Sequence, residues 1–105
     1  MAEEYVPVAK VSELPPGALK LVQLGNEDIC LANSEGGIYG VSNICTHAGC
    51  SLAEVGKLDG VEIECACHGS RFDLATGAPT HPPAAEPLER YAVRVEGDDM
   101  SVRRA

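Results

Sequence analysis

The residues able to do chemistry in this 105-residue chain are crowded into two short segments, Cys45-Thr46-His47-Ala48-Gly49-Cys50 and Cys65-Ala66-Cys67-His68-Gly69-Ser70. These hold four of the five cysteines and two of the three histidines. Cys45-x-His47 and Cys65-x-x-His68 each offer one thiolate and one imidazole. The seventeen residues between the pairs, 48 to 64, are ample for an extended hairpin that returns the second pair to the first. The expectation is a four-ligand site of two sulfurs and two nitrogens. Structural zinc accepts such a donor set, but its ligands usually come as C-x(2–4)-C and H-x(3–5)-H pairs, whereas here every pair mixes sulfur with nitrogen. A cluster of two irons accounts for the mixing, one iron taking both thiolates and the other both imidazoles. Plant-type ferredoxin spacing opens correctly at Cys45-x4-Cys50 and then needs a cysteine at position 53, where the chain has Ala53.

The segments CTHAGC and CACHGS resemble the two cluster-binding loops of the Rieske iron-sulfur proteins, and the resemblance runs over the whole chain. It implies one 2Fe-2S cluster of Rieske type held by Cys45, His47, Cys65 and His68. In the cytochrome-complex and related branches of the family, cysteines at the places of Cys50 and Cys67 form a disulfide that ties the loops together, and the resemblance implies the same here. Many soluble Rieske ferredoxins lack the pair, and a reducing cytosol keeps thiols free, so both states stand open. Gly49 and Gly69 either bring backbone N–H groups toward the cluster sulfurs or serve as ordinary turn glycines. Ser70 resembles the family's serine whose hydroxyl bonds to a bridging sulfide. Phe72 stands where high-potential members have a tyrosine bonded to a ligand sulfur, so one of two hydroxyl donors is missing. Gly77-Ala78-Pro79-Thr80-His81-Pro82-Pro83 falls where the family has a third loop covering the cluster, with a plain linker as the alternative. His81 has no cysteine at a matching spacing and is not expected to ligate. Cys30 is expected to pack inside as a small apolar residue.

The elements that must position these residues read as short strands, with no helical period and no internal repeat. Tyr5 to Val11 and Ala18 to Leu24 flank the turn-forming Leu14-Pro15-Pro16-Gly17. Gly25-Asn26 separates Leu24 from Ile29-Cys30-Leu31-Ala32, and residues 33–37 separate that run from Ile38-Tyr39-Gly40-Val41, a succession of antiparallel hairpins. Leu58-Asp59-Gly60 turns the chain into a strand from Val61 to Cys65, with Val61, Ile63 and Cys65 on one face and Glu62 and Glu64 on the other. Tyr91 to Val95 alternates, Gly97-Asp98-Asp99 turns, and Met100 to Arg103 closes the set. Tyr39, Phe72 and Tyr91 are expected to pack in the core or at its rim. The fold class is all-β, a small antiparallel sandwich or barrel. The resemblance makes it a single Rieske domain over 1–105, with a cluster-binding subdomain inserted at about 42–83.

Sixteen acidic against eight basic residues give a net charge of −8, which disfavours nucleic acid and anionic membranes and favours partners with basic patches. No apolar run has the length to span a bilayer, and the N-terminus has no signal-peptide pattern, so the cytoplasm is expected. No nucleophile or acid/base pair stands out, so the chain reads as a carrier and not an enzyme. The resemblance implies a soluble Rieske ferredoxin that passes single electrons from a flavoprotein reductase to a terminal ring-hydroxylating oxygenase, entering and leaving at His47 and His68. The alternatives are a Rieske small subunit of a larger reductase, such as assimilatory nitrite reductase, and a zinc-stapled interaction module.

Overall fold

Turn residues delimit ten short strands among the described residues. The computed structural model describes residues 4–45, 49–67, 69–82 and 85–105. The strands are β1 (Val6–Lys10), β2 (Leu19–Leu24), β3 (Glu27–Ser34), β4 (Gly37–Ser42), β5 (Gly56–Asp59), β6 (Glu62–Cys65), β7 (Ser70–Asp73), β8 (Pro79–His81), β9 (Arg90–Glu96) and β10 (Asp99–Arg104). A 3-10 turn, Val11–Glu13, follows β1, and a single helical turn, α1 (Leu52–Val55), precedes β5. Six strands form one antiparallel sheet in the order β1-β10-β9-β4-β3-β2, and its two edges, β1 and β2, curl back into contact, giving a nearly closed barrel. Between β4 and β9 the chain builds a second antiparallel sheet, β5-β6-β7-β8. The fold is the expected all-β architecture. No helix among the described residues is long and apolar enough to cross a membrane.

Why the two sheets stay together is written in β3. Ile29, Cys30, Leu31 and Ala32 are all fully buried, an unbroken apolar run of the kind a strand needs when both of its faces are covered. Ile29 and Leu31 face the barrel core with Leu14, Val22, Tyr91, Met100 and Val102. Cys30 and Ala32 face the other way, into a second core that includes Val41, Ile63, Phe72 and Leu88 and is supplied by both sheets. Cys30 is therefore the small core residue expected, and burial pushes its thiol up to about 12. Phe72 and Tyr91 are core residues as well, while Tyr39 packs at the margin.

Three local expectations need correction. Leu58 and Asp59 lie in β5 and not in a turn; the turn is Gly60-Val61, because Asp59 pairs with Glu62. Val61 is accordingly 42% exposed, and only Ile63 and Cys65 of its expected face are buried. The stretch 77–83 is neither a free lid nor a plain linker in its described part: Pro79–His81 is an edge strand on β7, with Pro79 opposite Phe72, a position where proline's missing N–H costs no ladder bond.

Candidate metal centre

The first cysteine loop is anchored by a residue that carries no functional signal in the sequence. Asn43, 2% exposed, leaves β4 and accepts the first two N–H groups of α1: its backbone carbonyl takes Leu52 N at 2.7 Å and its side-chain oxygen takes Ala53 N at 2.9 Å. Ser51 supplies its carbonyl to the next two, Glu54 N and Val55 N, so all four N–H groups that a helix start leaves unpaired are satisfied. Asn43 Nδ2 donates to Ser51 Oγ at 2.8 Å. This clasp pins residues 43 and 51–53 together and so brings the two ends of the first cysteine loop side by side. Within it Cys45 N donates to the Cys50 carbonyl and Gly49 N to the Cys45 carbonyl, both at 2.9 Å.

The second loop repeats the device. Cys65 ends β6, and Gly69 N donates to its carbonyl at 2.8 Å, before Ser70 starts β7 directly opposite Cys65. Gly49 and Gly69 occupy the left-handed region, at φ 71° and 79°, and a Cβ on either would meet nothing within 4 Å. Glycine is needed there for the sign of φ and not for space. The two glycine amides are committed to cysteine carbonyls, which is the turn role.

A disulfide joins the loops, Cys50 to Cys67, with Cα atoms 6.8 Å apart. Cys45 and Cys65, both buried, stay outside the disulfide, and they share the inter-sheet apolar core with Leu52, Ile63 and Phe72. Once the disulfide has consumed the other pair, one buried thiol per loop is left, which suits the sulfur half of a two-sulfur, two-nitrogen iron site. His47 and His68 lie outside the described residues. Ser70 is fully buried beside Cys65 in the ladder, and Phe72, fully buried, is on the same strand two residues on. His81 is exposed on the β8 edge, and with Arg71, Glu62, Glu64 and Gly69 it lines a surface depression.

The charges around the site are less free than their count suggests. Arg71 donates to Asp59 at 2.8 Å and lies 3.5 Å from Glu62 and 3.9 Å from Glu64. The hydrogen bond to Asp59 is the main cause that raises its pKa further. Asp73 accepts from Ala75 N and Thr76 N and so is spent on a turn. Glu54, exposed on α1, makes no ion pair among the described residues.

Residues 4–92 match the family model of the Rieske [2Fe-2S] domain. The chain is 36% identical over 98 residues to the biphenyl dioxygenase ferredoxin subunit of Pseudomonas sp. strain KKS102, covering 93% of this chain and 90% of that protein. It superimposes on the ferredoxin of carbazole 1,9a-dioxygenase from Nocardioides aromaticivorans IC177 with a TM-score of 0.89 at 32% identity, over 98% of this chain and all of that one. A ferredoxin solved in complex with the reduced oxygenase of carbazole 1,9a-dioxygenase matches with a TM-score of 0.85 at 32% identity, covering 93% and 91% of the two chains. A nitrite reductase small subunit also matches, at 16% identity with a TM-score of 0.84 over 96% of this chain and 99% of that one; that likeness is one of fold alone.

Proposed function

From the premise that the chain belongs to the Rieske 2Fe-2S family, we propose that it is a one-electron carrier, the ferredoxin component of a ring-hydroxylating dioxygenase system. It receives electrons from a flavoprotein reductase and delivers them to the terminal oxygenase, in the cytoplasm, without catalysing a reaction of its own. The observation that carries this reading is the joined pair of cysteine loops, each contributing one buried cysteine outside the disulfide. It comes in a chain that matches dioxygenase ferredoxins over nearly their full length. The alternative of a nitrite reductase small subunit has only a shared fold behind it.

Cys45, His47, Cys65 and His68 hold the cluster in this proposal, and residues 42–83 act as its binding unit. A bound 2Fe-2S group supplies one-electron chemistry at a potential set by its ligands, hydrogen bonds and burial. The chain's own part is to fix and shield. The glycine turns set the cysteine carbonyls, the Asn43 clasp sets the first loop, and Leu52, Ile63 and Phe72 keep water from the sulfurs. Ser70 is the proposed donor to a bridging sulfide.

Aerobically purified protein is expected to be red-brown, to contain about two irons and two acid-labile sulfides per chain, and to couple a flavoprotein reductase to a ring-hydroxylating oxygenase in NADH-driven turnover. Zinc without labile sulfide would sink the cluster assignment. A fully loaded cluster that supports no oxygenase turnover, but does support a sirohaem reductase, would overturn the partner assignment.

A further inference from the structure

We propose that the junction of the two loops, when its disulfide is reduced, is a thiolate site for a soft divalent metal ion, built from Cys50, Cys65 and Cys67, and that the disulfide keeps this site closed. The three Sγ atoms lie within 4.8 Å of one another. Three thiolates on one tetrahedral zinc, with bonds of about 2.3 Å, stand about 3.8 Å apart; Cys65 Sγ is already within about 1 Å of that spacing from both partners, while Cys50 and Cys67, bonded to each other, must part on reduction to reach it. The backbone already fixes two of the three donors. Cys65 is the last residue of β6, its carbonyl taken by Gly69 N, and the Cys50 carbonyl accepts Cys45 N. Exposure is graded across the set, with Cys65 buried, Cys50 half-buried and Cys67 exposed, so an ion enters from the Cys67 side and solvent completes its coordination.

The chemistry balances without an external oxidant. A cellular dithiol gives two electrons and two protons to the Cys50–Cys67 bond, which breaks into two thiols while the dithiol leaves as its own disulfide. Binding of the ion then releases the thiol protons to solvent. Thiolates select zinc and similarly soft ions. A disulfide sulfur carries no charge and is no such ligand, so oxidation of the pair removes two of three donors at once. The consequence for the carrier rests on the reading of Cys65 as a cluster ligand: an ion held by Cys65 in the reduced chain denies that thiolate to the cluster. The metal site itself does not depend on that reading.

The test uses the full cluster-free chain, from iron-limited expression, with folding checked by circular dichroism. Thiol alkylation is followed residue by residue by mass spectrometry, with and without zinc, before and after phosphine reduction. In the reduced chain zinc is expected to bind at about one per chain and to slow alkylation of Cys50 and Cys67 on the order of tenfold or more. Cys67→Ser is expected to abolish the protection of Cys50. If zinc binds while Cys50 and Cys67 react at their metal-free rates, the ion occupies other donors and the proposal is overturned; no zinc binding to the reduced, folded chain overturns it equally. Iron and sulfide reconstitution is the separate arm. It is expected to succeed with the disulfide intact and to fail in the zinc-loaded reduced chain. Failure with the disulfide intact refutes the cluster reading and leaves the protection result standing.

Discussion

Asn43→Ala is the substitution that tests how the first ligand loop is held. The alanine keeps the backbone bond to Leu52 N but deletes the side-chain bonds to Ala53 N and Ser51 Oγ. Two lost hydrogen bonds cost about 1 kcal/mol each, and a helix N–H left partly buried without an acceptor adds about 1 more, so the loss is about 2–4 kcal/mol. For a domain near 100 residues that lowers Tm by roughly 10–25 °C. Ser51→Ala removes one of the bonds and is expected to cost about 1 kcal/mol. The double variant is expected to cost less than the sum, because the second substitution finds the shared bond already gone. Thermal unfolding by circular dichroism on disulfide-intact protein measures all three. The same variants are expected to lose the visible colour of the cluster faster on standing, since Cys45 lies two residues beyond the clasp. An Asn43→Ala variant within about 1 kcal/mol of the parent, or strict additivity with Ser51→Ala, would refute the account of Asn43 as the anchor of the loop.

Phe72→Tyr is expected to raise the reduction potential and Ser70→Ala to lower it, each by on the order of 60 mV if the differential stabilisation is about 1.4 kcal/mol; protein-film voltammetry reads both. A potential that does not rise in Phe72→Tyr, with the cluster intact, shows that position 72 does not present a hydroxyl to a ligand sulfur. Electron transfer to the oxygenase is expected to slow as salt rises, because charges are screened over about 8–10 Å. Glu54→Gln should weaken that dependence more than Asp73→Asn, whose carboxylate is engaged in a turn; equal effects would contradict the ranking. Cys30 ionises from 9.0 in the unfolded chain but only near 12 when folded. Its contribution is therefore whole below pH 9 and lost on rising toward 12, at up to about 1.4 kcal/mol per pH unit. The stability difference between parent and Cys30→Ala in urea titrations should shrink by about 2 kcal/mol between pH 8 and 10.5; an unchanged difference refutes it.

Strands, turns and the cysteine framework were legible because each is a local signal. Gly25-Asn26 and Gly97-Asp98 turn where they stand, and the apolar run at Ile29–Ala32 falls within a strand as its flanking turn residues indicate. What escaped depends on contacts distant in sequence. Helix α1 is one turn long, too short to show a period, and its first two N–H groups are capped by a residue nine and ten positions upstream. An asparagine at the polar end of Val41-Ser42-Asn43 looks like any strand end until its burial is known. Arg71 reads as a solvated charge, since its three carboxylate neighbours come from two other strands and are brought together only by the register of β5, β6 and β7. The edge strand at Pro79–His81 was hidden by its prolines, which argue against pairing unless the partner lies on one side only.

The double covering of β3 bears on modularity. The loops and the small sheet look like a detachable cassette, but four of the ten buried residues of the core beneath them are not theirs: Cys30, Ala32, Val41 and Leu88 come from outside residues 45–81. A peptide of the small sheet alone exposes that seam, and a barrel stripped of it bares the outer face of β3. With the core shared in this way, amides of β6 and β3 are expected to exchange with solvent through the same global opening, which native-state hydrogen exchange measures. Grafting the electron-carrying loops onto another scaffold would require transplanting a strand as well.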